Sequence, residues 1–148
     1  MPMKQLNTLY KYEQSNETKA AKNLSEAEFE YQQNLQRLDS VSEYRLEYMK
    51  RLNQRSLDGI NSHTFSHFHA FIKKLDNASE QVKIALNQAK AMVEKRKQEW
   101  LMQRQKLQAV ELLRDKKLKM LALVENKREQ KMFDEIATQQ FVRRKNSF

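Results

Sequence analysis

The 148-residue sequence contains a single glycine, Gly59, and a single proline, Pro2. These two residue types interrupt helices most effectively, one through its free φ and the other through its missing N–H. With neither present over residues 3–58 or 60–148, nothing stops a helix in either segment. Aliphatic residues occur singly, and 32% of the side chains are charged. That makeup suits long amphipathic helices and not a mixed sheet domain. No run of about 20 apolar residues occurs, so no transmembrane segment is expected. The opening stretch MPMKQLNTLYKYEQ has no apolar core of signal-peptide length, so secretion is not indicated. The absence of cysteine excludes disulfides and thiolate zinc sites, and fits a cytoplasmic chain.

A heptad register runs through the first segment. Every seventh residue from Met3 gives Met3, Tyr10, Glu17, Leu24, Tyr31, Leu38, Arg45 and Leu52. The series offset by three gives Leu6, Glu13, Ala20, Ala27, Asn34, Val41, Tyr48 and Arg55. Eleven of these sixteen residues are apolar, which makes the two series the a and d positions of a left-handed coiled coil. Glu13, Glu17, Asn34, Arg45 and Arg55 weaken the seam but can fix its register.

Gly59 suits the left-handed residue that follows a helix, and Asp58 is a poor interior residue. Helix one is therefore expected over about 3–57 and the turn over about 58–63. Asn61 to Thr64 offer capping side chains for helix two, over about 64–143. Its apolar line runs from Phe65, Phe68, Ile72 and Leu75 through Val82, Leu86, Ala89, Val93 and Trp100 to Leu107, Val110, Leu121 and Val124. Arg96, Gln103, Arg114 and Lys117 interrupt it. Leu112, Leu113 and Leu118 lie off it, so a register shift is expected near residue 113. The fold class is all-α: residues 1–148 form one long antiparallel two-helix coiled-coil hairpin. Pairing about residue 60 sets Met3 opposite residue 118, so helix two overhangs from about 119. Leu121, Val124, Met132, Phe133, Ile136 and Phe141 make that overhang a helix in want of a partner.

A two-helix hairpin has no second layer to enclose a pocket. With one glycine there is no Gly-rich phosphate loop, and no Ser–His–acid arrangement is evident. No catalytic residue, cofactor or enzymatic activity is expected. His63 and His67 are four apart, and His69 follows two later. Without a nearby acidic partner at metal-ligand spacing, they read as solvated or capping residues, and no metal is expected.

Charge is unevenly placed along the chain. Residues 1–58 hold nine basic and nine acidic side chains, residues 59–95 five and three, and residues 96–148 fourteen and seven. A basic end attracts nucleic acid, anionic lipid or an acidic protein surface. Trp100, Phe133, Phe141 and Phe148 are too dispersed for a base-stacking platform, so no nucleic-acid function is expected. Tyr44 lies 15 residues before Gly59 and Leu75 lies 16 after it. Antiparallel pairing brings Tyr44, Tyr48, Phe71 and Leu75, with Ala78 beyond, to one partly exposed patch. Such a patch marks either a protein contact or simple seam packing.

In EYRLEYMKRLN (43–53), Gly59–Ile60, FIKKLDNA (71–78), KLQAVELLRDK (106–116) and ENKREQKMFDEIA (125–137), the chain resembles the flagellar export protein FliJ family. The resemblance covers most of the chain, best over about 30–144. It implies a coiled coil similar to the central stalk of rotary ATPases, acting without chemistry of its own in flagellar type III export. The partners it implies are the export ATPase FliI, its regulator FliH, the export gate protein FlhA and export chaperones. The implied location is cytoplasmic, at the membrane face of the flagellar base. Arg37, Val41, Tyr44, Tyr48, Phe71, Leu75 and Ala78 match the gate-facing surface. Gln130, Lys131, Asp134, Glu135 and Ala137 match the end near the ATPase. The chain itself is expected to be a monomer or to self-associate weakly. The alternative is a generic basic coiled-coil scaffold or chaperone, or, further off, a nucleic-acid-binding coiled coil.

Overall fold

A computed structural model describes residues 2–146; Phe148, counted above among the aromatics, lies outside them. Two helices, α1 (Met3–Asp58) and α2 (Ser62–Asn146), account for almost all of these residues. They form an all-α helical hairpin, with no strand among the described residues.

The connection is short. Gly59 takes φ 84°, a left-handed conformation that suits a residue without Cβ, and its N–H donates to the Ser56 carbonyl at 3.3 Å. Asn61 then caps α2: its Oδ1 accepts from the Thr64 N–H at 2.8 Å. Neither helix has the acidic first turn that the helix dipole favours, but the last turns carry the favoured cations, Arg55 in α1 and Arg143, Arg144 and Lys145 in α2.

Chain contacts divide the hairpin into two compact units. One comprises Thr18–Met102; the other joins the segment up to Glu17 with the segment from Gln103 onward. In the first unit, Leu52, Phe68 and Ile72 form a buried cluster with Tyr48, Met49 and Ile60 packed against it. Farther along, Ala20, Ala27 and Ala89 are buried, small side chains that let two backbones approach. Asn34 is buried among them at 6% exposure. Its Nδ2 donates to the Glu30 carbonyl at 3.1 Å, and its Oδ1 accepts from Arg37 at 3.5 Å. Arg45, another polar seam residue, reaches across to Asp76 with Nε 2.6 Å from Oδ1. Both side chains are about half exposed, so the pair orients the helices more than it stabilises them.

The other unit has a thinner seam. Leu6 and Val110 are buried, and the Arg114 guanidinium lies 4.8 Å from the Tyr10 ring centroid. Asn7 Oδ1, Glu13 Oε2, Gln103 Oε1 and Arg114 Nε are buried without a hydrogen-bond partner in the protein. Polar atoms in a narrow seam add little cohesion and favour local opening.

The a and d positions of α1 are buried or half-buried throughout, except Arg55. In α2 the seam runs Phe68, Ile72, Leu75, Ser79, Val82, Leu86, Ala89, Val93, Arg96, Trp100, Gln103, Leu107, Val110, Arg114 and Lys117, with none of them exposed. Steps of four and three alternate without a break, so the register shift expected near residue 113 does not occur. Arg114 and Lys117 stay in the seam because long cationic side chains can lay their methylenes along it. Leu112, Leu113 and Leu118 are left exposed. Phe65, expected on the apolar line, is also exposed, and Thr64 takes the inward position. Every described residue of α2 after Lys117 is exposed.

Candidate interaction surfaces

In the unit Thr18–Met102, the turn brings the aromatic residues of both helices together. The Tyr48 and Phe71 ring centroids are 4.5 Å apart, and Tyr48 and Phe68 are 4.9 Å apart. Tyr44 meets Phe71 edge-on at 6.2 Å and remains 54% exposed. Phe68 is the buried base of this stack, Tyr48 and Phe71 are half-buried, and Tyr44 is its outer rim. An aromatic stack that is anchored inside and open outside offers rigid apolar area to a partner. Leu75 and Ala78 are half-buried farther along α2.

Arg37 and Val41 lie elsewhere on the same unit, lining with Val82 a shallow groove of about 510 Å³. Val41 is half-buried in the seam, whereas Arg37 is exposed and tethered to Asn34. The seven matched residues therefore fall into an aromatic stack, a neighbouring stretch of seam and a separate groove. Sequence reading passed over Leu46 and Ile84, both exposed apolar side chains in this unit. The available signal was a leucine and an isoleucine one or two steps off the a/d series.

The histidines divide. His63 and His67 stack with ring centroids 6.0 Å apart, while His69 packs edge-on against Phe65 at 4.4 Å. Among the described residues no cluster of three or more His, Asp or Glu is placed to hold a metal ion.

In the other unit, the α2 overhang bears Gln130, Lys131, Asp134, Glu135 and Ala137, all exposed. Interspersed with them are Leu121, Leu123, Val124, Met132, Phe133, Ile136, Phe141 and Val142, also exposed, with Phe133 at 71%. These apolar residues do not share a stripe. Successive side chains turn by about 100°, so Leu121 and Leu123 point roughly 160° apart, and Phe141 and Val142 roughly 100° apart. The overhang is apolar on several sides at once.

A family model described as "Flagellar FliJ protein" matches residues 3–146. The chain belongs to the FliJ family. The Salmonella typhi flagellar FliJ protein is 32% identical over 125 residues, covering 84% of this chain and 85% of that protein. The Escherichia coli K12 flagellar FliJ protein is 31% identical over 125 residues, with the same coverage. FliJ membership makes the chain a component of the flagellar export apparatus. No described helix is long and apolar enough to cross a membrane.

Proposed function

We propose that this FliJ-family chain is a non-enzymatic stalk that joins the export ATPase FliI to the export gate protein FlhA. The observation that carries the reading is the α2 overhang, exposed throughout and apolar on several sides. A helix hydrophobic around its circumference calls for surroundings on more than one face, as in the bore of a ring. A flat partner would cover one face and leave the rest wet.

Residues 118–146 hold seven basic and four acidic side chains, so an acidic lining suits them. Self-pairing suits them less. Two overhangs laid antiparallel over 118–146 would set Lys145 of one against Lys119 of the other, with Arg143 and Arg144 beside that pair. The free chain is accordingly a monomer or associates weakly. Gln130, Lys131, Asp134, Glu135 and Ala137 would meet the ATPase, and the Tyr44–Tyr48–Phe71 stack would meet the gate. FliH and export chaperones complete the partner set. The chain works in the cytoplasm, at the membrane face of the flagellar base. In such a ring the stalk acts by touching several subunits unequally, which biases their conformations without chemistry of its own.

Ending the chain at Val124 tests this directly. Loss of ATPase stimulation, with the helicity of the remaining hairpin retained, is the expected result. Full stimulation by the shortened chain would refute insertion of the overhang.

A further inference from the structure

Next to the turn, in the unit Thr18–Met102, a groove of about 550 Å³ is lined by Arg51 and Arg55 of α1 and by His63 and His67 of α2. Tyr48 and Phe68 also contribute to its lining. None of the described residues lining it is acidic. The Arg55 guanidinium lies 5.4 Å from the Phe68 ring centroid, so a buried ring holds it in place. Arg51 pairs at 3.5 Å with Glu47, one turn back and outside the lining. The stacked His63 and His67 supply ring N–H donors from the opposite helix.

We propose that this groove is an anion site for a phosphate group carrying two or more negative charges. Two guanidinium forks can each give paired N–H donors to phosphate oxygens, and the imidazoles add donors from the other wall. A single carboxylate would satisfy one fork and leave the second guanidinium unmatched. The histidines thereby acquire a chemistry suited to their place. Phosphate of this kind is found on soluble metabolites and on lipid headgroups, and the site's chemistry is the same for both.

The chain has three histidines, and they serve as their own control. Inorganic pyrophosphate is titrated into the full-length protein at constant ionic strength while the imidazole NMR signals are followed. Saturable shifts of His63 and His67 are expected, with His69, which lies outside the groove, unmoved. The double variant Arg51→Gln, Arg55→Gln should bind at least about tenfold more weakly with unchanged circular dichroism, and Arg51→Lys, Arg55→Lys should recover part of the loss. Vesicles of phosphatidylcholine with phosphatidic acid, a phosphomonoester that can carry two negative charges, form the second arm, with pure phosphatidylcholine as the blank. If anionic vesicles perturb the same two histidines and pyrophosphate competes, the phosphate is a headgroup; a response to pyrophosphate alone assigns a soluble ligand. The proposal is overturned if neither probe acts, if all three histidines move together, or if the arginine-to-glutamine variant binds as tightly as the parent.

Discussion

Leu52 and Leu57 are identical side chains five positions apart on α1, and the seam assigns them opposite fates. Leu52 is 4% exposed against Phe68 and Ile72, whereas Leu57 is 89% exposed. Truncating Leu52 to alanine removes three buried carbons. At about 0.8 kcal/mol for each buried methylene, the transfer loss is about 2.4 kcal/mol. A cavity penalty would add to this in a thick core. A two-helix seam has solvent on both flanks and can refill, so the total should stay near about 2.5 kcal/mol. Leu57→Ala buries nothing less and removes no contact in the cluster, so its effect should lie within about 0.5 kcal/mol. The assay is urea unfolding followed by far-ultraviolet circular dichroism, at low protein concentration to keep the reaction unimolecular. With an m-value of about 1–3 kcal/mol/M, Leu52→Ala should lower the midpoint by on the order of 1 M with the slope preserved. Equal midpoints for the two variants would refute the seam assignment. A larger loss from Leu57→Ala would mean that this side chain is buried by self-association.

Three further outcomes follow from the turn and its neighbours. Gly59→Ala should destabilise by about 1–2 kcal/mol, read as a lower melting temperature. Nothing lies within 4 Å of the added Cβ, so the cost is backbone strain alone and Gly59→Asn should recover part of it. Asn61→Ala should cost about 1 kcal/mol and speed amide exchange at Thr64, whose N–H it caps. Tyr44→Ala, alone and combined with Phe71→Ala, should weaken binding to the gate protein while helicity is retained; loss of helicity in step with binding would reduce the stack to packing.

The hairpin is legible in the sequence because a lone Gly59 separates two stretches with no other breaker. In α1 the phase can be read directly, since most a and d residues are apolar. In α2 it cannot. Arg96, Gln103, Arg114 and Lys117 occupy inward positions, while Leu112, Leu113 and Leu118 draw the eye outward. The phase there is inherited from α1 through the turn, and local hydropathy does not carry it. Counting outward from Gly59 does carry it, which is why the contact of Tyr44 with Phe71 can be anticipated. Arg45 and Asp76, 14 residues before and 17 after Gly59, also meet across the helices, in a salt bridge that hydropathy alone never suggests. The groove of Arg51, Arg55, His63 and His67 is less legible. Its cationic groups lie on two helices, and three of the four resemble ordinary solvated surface when read one segment at a time.

The connection between α1 and α2 is only three residues, Gly59 to Asn61, and it sets the phase for everything beyond it. This restricts how genes for such chains can change length. Losing or gaining one codon within either arm rotates all farther side chains by about 100° and takes them out of the seam. In the overhang no facing arm must match, so the hairpin itself sets no such limit there. Within the paired stretch, the tolerated step is seven codons in each arm at the same distance from Gly59. Alignments of relatives should therefore show gaps gathered near the chain ends, with internal gaps arriving as matched sevens.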